Sequence, residues 1–151
     1  MIRRAQASDA TRLLSLMRGL ARFEGYDDRF AVTKEALIER GFSPHRPPEF
    51  TAWVAELDGE LVGYAVIYAI PYTFDLRPTV VLKELFIDDA ARGKNFGHGL
   101  MNAVIEHARS LNARLLRWQV LPENERAKRF YEQHGAAADA DWESWFIDLD
   151  R

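Results

Sequence analysis

Between residues 10 and 21 the apolar side chains Ala10, Leu13, Leu14, Met17, Leu20 and Ala21 recur at intervals of three and four, the repeat of a helix with one buried face. Ser8 stands where an N-cap is wanted and Gly25 where the helix has to stop. Residues 2–5 predict a short strand ahead of it. Residues 33–40 predict a second helix, capped by Thr33 and closed by Gly41, and the run Ser43-Pro44-His45-Arg46-Pro47-Pro48 reads as a loop. Residues 50–57 and 61–69 are β-rich and flank Asp58-Gly59, whose tolerance of positive φ marks a hairpin turn. The most strand-like stretch is 80–87. A helix follows over about 97–111, with Leu100, Met101, Val104, Ile105, Ala108 and Leu111 on one side. Residues 114–121 predict another strand, 124–134 a helix capped by Asn124 and ended by Gly135, and 142–149 a final strand. The order β-α-α-β-β-β-α-β-α-β predicts a mixed α/β fold, a central mixed sheet with helices on both faces, in one domain over residues 1–151.

Composition narrows what such a domain can do. With 151 residues, 48% hydrophobic and 28% charged, the chain has the balance of a globular protein rather than a disordered one. No apolar run approaches the ~20 residues that cross a bilayer. The opening Met1-Ile2-Arg3-Arg4-Ala5-Gln6 carries charge with no apolar stretch behind it, so no secretory leader is expected and the cytoplasm is the expected compartment. The absence of cysteine excludes thiolate metal sites, disulfides and cysteine nucleophiles. A formal charge of −3 argues against bulk electrostatic binding of nucleic acid. His45, His98, His107 and His134 lack the spacing of a metal-binding helix, and no metal is expected.

The chemistry concentrates after the predicted strand 80–87. Arg92-Gly93-Lys94-Asn95-Phe96-Gly97-His98-Gly99 places three glycines between a strand and a helix start. Glycines let backbone N–H groups approach an anion, and a helix N-terminus adds about half a positive charge. The physical reading is a pyrophosphate cradle; the plain alternative is a turn that merely joins strand to helix. A P-loop does not fit, because no Lys-Ser or Lys-Thr follows the glycines. A dinucleotide fingerprint does not fit either, because the spacing differs and the loop comes late in the chain.

Residues 92–97 resemble the acyl-CoA loop R/Q-x-x-G-x-G/A of the GNAT superfamily of N-acetyltransferases, with Asn95 in place of its first glycine. Asn is the non-glycine residue that best tolerates a left-handed backbone. The resemblance extends over the chain, and within the superfamily it is most similar to the diamine (spermidine/spermine) and thialysine acetyltransferases. It is carried by Leu20-Ala21-Arg22-Phe23-Glu24, by Gly41-Phe42, by Asn124 with Arg129-Phe130-Tyr131 and Gly135-Ala136, and by residues 142–148, where Trp145 occupies the family's Phe position.

The resemblance implies transfer of an acetyl group from acetyl-CoA to a small-molecule primary amine, diamine-like or lysine/thialysine-like, by direct attack in a ternary complex. It implies that Leu85, Phe86 and Ile87 flank the pantetheine arm, with Leu85 and Ile87 bonding through the main chain. Arg92, Gly93, Lys94, Asn95, Phe96, Gly97 and His98 would surround the diphosphate, and Asn124 would lie against the coenzyme arm. Tyr131 is the candidate general acid. Glu84 is the candidate base, although Lys83 holds the place of the family's glutamate and alternation puts the two on opposite faces unless a bulge intervenes. Phe23, Glu24, Arg117, Trp118 and Gln119 would line the acceptor site. Lys83 with Arg117 would suit an acceptor bearing an acid group, and Tyr72 and Phe74 either stack on an alkylamine or pack under their loop. A homodimer is implied by analogy. The alternatives are acetylation of a protein N-terminus or lysine, and a non-catalytic acyl-CoA sensor, which Asn95 and Lys83 would permit.

Overall fold

Asp58 and Gly59 take φ values of 51° and 82°, the left-handed pair that lets twisted strands turn back tightly. They join β2 (Thr51–Leu57) to β3 (Glu60–Ile70) as an antiparallel hairpin. The computed structural model describes residues 1–150, which form two compact units, Met1–Trp118 and Gln119 onward. In the first, β1 (Ile2–Arg4), β4 (Thr79–Ile87) and β5 (Leu115–Arg117) complete a five-stranded sheet in the order β1-β2-β3-β4-β5. All pairings are antiparallel except β4 with β5, which is parallel. The mixed sheet is as expected.

Two helices cover its faces. From α1 (Ala10–Glu24), Leu13, Leu16, Met17 and Leu20 share a core with Ala52, Val54, Tyr64 and Val66 of the sheet. Trp53, between Ala52 and Val54 and therefore on the other face, packs its ring 5.0 Å from His107 of the helix Phe96–Ser110. Gly25 ends α1 at φ 83°, as expected. Ser8 does not cap it. Residues Ala7–Asp9 form a 3-10 turn ahead of the helix, and Asp9 accepts the Gln6 N–H at 2.8 Å. Asp9 also takes both Arg3 amino groups at 2.9 Å, a pairing that a serine hydroxyl cannot make.

The second predicted helix exists in altered form. Thr33 Oγ1 accepts the Ala36 N–H at 3.1 Å and starts α2 (Lys34–Leu37), but the chain then widens into a π turn over Ile38–Phe42 instead of closing at Gly41. The Phe50 ring occupies the space where a Gly41 side chain would stand. The helix Phe96–Ser110, α3, begins one residue earlier than expected and buries Leu100, Met101, Val104 and Ala108.

In the second unit, Asn124 Oδ1 accepts the Ala127 N–H at 3.0 Å and caps α4 (Glu125–Glu132), which stops two residues short of His134. The expected final strand over 142–149 is not formed; no ladder among the described residues includes it. Trp142, Trp145, Phe146, Ile147 and Leu149 are 77–90% exposed. Likewise β5 spans Leu115–Arg117 rather than 114–121. A composition rich in apolar and aromatic residues lets a segment pair, but pairing also requires an aligned neighbouring edge.

Candidate active site

The site is built around an irregularity in β4. Glu84 lies opposite Val66 and Leu82 opposite Ile67, so Lys83 is an extra residue in the ladder. Without that bulge Leu82 and Glu84 would point the same way. With it, Leu82 takes the face of Ile67, while Glu84 takes the face of Val66 and Tyr64, toward α1. Lys83 is left exposed and Glu84 half-buried. Beyond Val81, opposite Arg117, no ladder among the described residues continues on the outer edge of β4. The stretch carrying Glu84, Leu85 and Ile87 thus has strand pairing on its β3 side alone.

The Tyr64 hydroxyl donates to Glu84 Oε1 at 3.0 Å. Burial pushes the Glu84 carboxyl above the usual carboxylate range, and the negative charge of Glu24 adds to that. The Tyr64 bond and the Lys83 charge pull the other way without cancelling it. Burial, followed by the charge of Glu84, raises the Tyr64 phenol far enough to keep it a neutral donor. Tyr26, just past Gly25, is raised for the same reasons in the same order, with Glu24 contributing. Two carboxylates and two phenols therefore share one electrostatic neighbourhood.

The loop after β4 has the expected backbone. Gly93 and Asn95 take φ 80° and 66°, so Asn95 has the left-handed backbone that asparagine tolerates best after glycine, and it is the residue immediately before α3. Gly93, Lys94 and Asn95 are exposed, while Phe96, Gly97 and His98 of the first helical turn are half-buried. Gly99 answers a different need: a Cβ there would come 2.8 Å from Ile2 Cγ1, so it sets the approach of α3 to β1.

Arg92 faces inward rather than toward the loop. Its Nε donates to the Ile87 carbonyl at 3.2 Å, its Nη1 lies 2.8 Å from Asp89, and its guanidinium stacks 5.5 Å and 5.9 Å from the Phe23 and Phe86 ring centres. Arg92 thereby ties the end of α1 to the end of β4. The Phe86 side chain is packing, with its ring 3.0 Å from where a Gly19 Cβ would sit. Leu85 and Ile87 are half-buried on the bulged strand.

The first unit therefore brings together Phe23, Glu24, Lys83, Glu84 and Arg92, with Arg117 exposed and Trp118 half-buried at the end of β5. Tyr72 and Phe74 do not pack under their loop: both are 84% exposed, with the Arg114 guanidinium 4.9 Å from the Phe74 ring. Gln119, Asn124 and Tyr131 belong to the second unit. There Gln119 Nε2 donates to Ser144 Oγ at 3.0 Å, and the half-buried Tyr131 packs its ring 5.3 Å from Phe130. Neither Tyr64 nor Tyr26 stands out in the sequence. Tyr64 reads as one more apolar strand position until the β3–β4 register sets it beside Glu84.

A profile of the acetyltransferase (GNAT) family matches residues 11–136. Thialysine N-ε-acetyltransferase of Bos taurus is 31% identical over 153 residues, covering 96% of this chain and 88% of its own. Among solved structures, an aminoglycoside acetyltransferase from an uncultured soil metagenomic sample, in complex with trehalose, superimposes with a TM-score of 0.82 at 17% identity, over 99% of this chain and 95% of that one. Ribosomal-protein-alanine N-acetyltransferase from Brucella melitensis biovar Abortus gives 0.76 at 21% identity over 99% of both. At those identities the structural likeness speaks for the fold alone. The profile match runs from the second residue of α1 to the turn after α4, and the chain belongs to the acetyltransferase (GNAT) family.

Proposed function

We propose that this acetyl-transferring enzyme uses acetyl-CoA to acetylate the primary amine of a small molecule, diamine-like or lysine-like, by direct attack within a ternary complex. The observation that carries the reading is the Glu84 carboxylate, turned by the bulge to the α1 face of the sheet where the outer edge of β4 loses its strand partner. A carboxyl raised by burial is a stronger base than an exposed one, and an alkylammonium has to lose a proton before its nitrogen can attack.

In this reading Glu84 takes that proton, and Glu24 adds a second negative charge that favours a cationic acceptor. Lys83 and Arg117 meet the carboxylate of a lysine-like acceptor; the thialysine N-ε-acetyltransferase relative supports that end of the range. When bound, acetyl-CoA supplies an activated acetyl group, whose C–S bond breaks as the new C–N bond forms. The main chain of β4 past Val81 holds the pantetheine arm and polarises the thioester carbonyl. The amides at the head of α3 face the diphosphate, and the residues there fit an anion: Gly93 has no side chain and Asn95 is already left-handed. On the family resemblance alone, Asn124 and Tyr131 of the second unit are the candidates for bordering the coenzyme arm and for returning a proton to sulfur.

The test is thiol release from acetyl-CoA by the purified protein across a panel of diamines, polyamines, lysine and thialysine. Turnover is expected with at least one of them. Glu84→Gln should lower kcat/KM by roughly 10²–10⁴-fold while coenzyme A still raises the melting temperature. Stabilisation by coenzyme A with no thiol released by any amine would leave a binding protein and overturn the proposal.

A further inference from the structure

The α1 face of the sheet is apolar almost throughout. Leu13, Leu16, Leu20, Val54 and Val66 surround Tyr64, whose own exposure is nil. Its ring lies 6.4 Å from Phe86 and fills the space between α1 and the sheet. A phenylalanine would fill that space equally well and carry no polar atom to satisfy. The hydroxyl is present nonetheless, and it reaches the one carboxylate that the β4 bulge turns to this face.

We infer that Tyr64 is the positioning residue of the acceptor-deprotonating carboxylate: its hydroxyl donates to Glu84 Oε1 at 3.0 Å, fixing the orientation of that group and favouring the form that accepts a proton. The inference rests on Glu84 being the base, as proposed above. The groups facing Glu84 are Tyr64 on β3, Lys83 beside it on β4, Glu24 at the end of α1 and, through Tyr64, Tyr26 in the turn after α1. Burial and Glu24 act against ionisation, and Lys83 is exposed and therefore screened. That leaves the Tyr64 hydroxyl as the buried, directed contact favouring the charged form. A phenol held neutral by its surroundings donates a hydrogen bond without competing for the proton. The rigid ring, packed on both sides, also holds the hydroxyl in place, so one carboxylate oxygen is occupied and the other is left for the acceptor.

The sign of the effect follows. The base works when ionised, so kcat/KM rises with pH through the Glu84 pKa. Losing the Tyr64 bond raises that pKa further, and the acidic limb moves to higher pH.

The experiment is the pH profile of kcat/KM for the full chain with its best acceptor from the amine panel, for the parent, Tyr64→Phe and Glu84→Gln, with thermal melts and coenzyme A titration on each. Tyr64→Phe should move the acidic limb up by about one unit, lower the high-pH plateau as the carboxylate loses its orientation, and leave coenzyme A affinity unchanged. Site-specific 3-fluorotyrosine at position 64, a better donor of the same shape, should move the limb down, and it covers the case in which the phenylalanine variant folds poorly. An acidic limb unmoved in both variants overturns the positioning role while leaving Glu84 as base. A limb and rate that survive in Glu84→Gln overturn the base assignment, and this inference with it.

Discussion

Asp9 is the charged residue that the first unit buries, at 8% exposure. It is held by the forked Arg3 guanidinium with both contacts at 2.9 Å and by the Gln6 N–H at 2.8 Å. A carboxylate so placed is stabilising only while all its bonds are made, because the desolvation cost stays when a partner goes. The Arg3 hydrogen bond, ahead of the opposing effect of burial, holds its carboxyl below the usual carboxylate range. A folded-state pKa below the unfolded value contributes stability that is present above the ordinary carboxylate pKa of ~4 and disappears as pH falls through the folded value. Asp9→Asn is therefore expected to lose about 1–3 kcal/mol at pH 7 in urea denaturation. The gap between parent and variant should narrow below about pH 4; a gap of equal size at pH 3 would show that charge is not its source.

The turn from β4 into α3 depends on backbone conformation more than on any side chain. Gly93 and Asn95 are both left-handed, and Arg92 pins the start of the turn through the Ile87 carbonyl and Asp89. A non-glycine, non-asparagine residue in that region costs about 1–2 kcal/mol. Asn95→Ala is thus expected to weaken coenzyme A binding about fivefold, the equivalent of ~1 kcal/mol, as the loop relaxes out of position. Asn95→Gly should stay within about twofold of the parent. Calorimetric titration of both variants checks this: equal losses would mean that the Asn95 amide contacts the ligand itself, and equal retention that the loop does not bind it.

Across the molecule, burial is uneven. The first unit packs two helices on opposite faces of one sheet. Trp53 is 6% exposed, between the Arg4 guanidinium at 5.1 Å and His107 at 5.0 Å, whereas Trp145 of the second unit is 86% exposed. A large side chain removed from a packed core costs about 3–5 kcal/mol, and an exposed one generally less than about 0.5 kcal/mol. Urea denaturation should find Trp53→Ala destabilised by the former amount and Trp145→Gln nearly unchanged. A cost above ~2 kcal/mol for Trp145→Gln would mean that the segment 142–149 is covered in solution by something that buries its apolar side chains.

Features that depend on neighbours in the chain can be read before any fold is known. The Asp58-Gly59 hairpin, the Thr33 and Asn124 caps, the Gly25 stop and the left-handed Asn95 all belong here. Each follows from φ preference or from a hydrogen bond spanning three or four residues. The strand–loop–helix run around residues 92–97 suggests an anion cradle for the same reason, and the coenzyme is what its resemblance to the acyl-CoA loop implies. The choice between Lys83 and Glu84 could not be read in this way. It turns on one extra residue in β4 relative to β3, and a register is set by side chains on a different strand. Tyr64 stayed hidden because its partner lies twenty positions away and its ring looks like any other core residue. The segment 142–149 is rich in the aromatic and apolar residues of a strand and is not one, since hydrogen bonds between strands need a second edge in alignment, and where edges lie is a property of the assembled sheet.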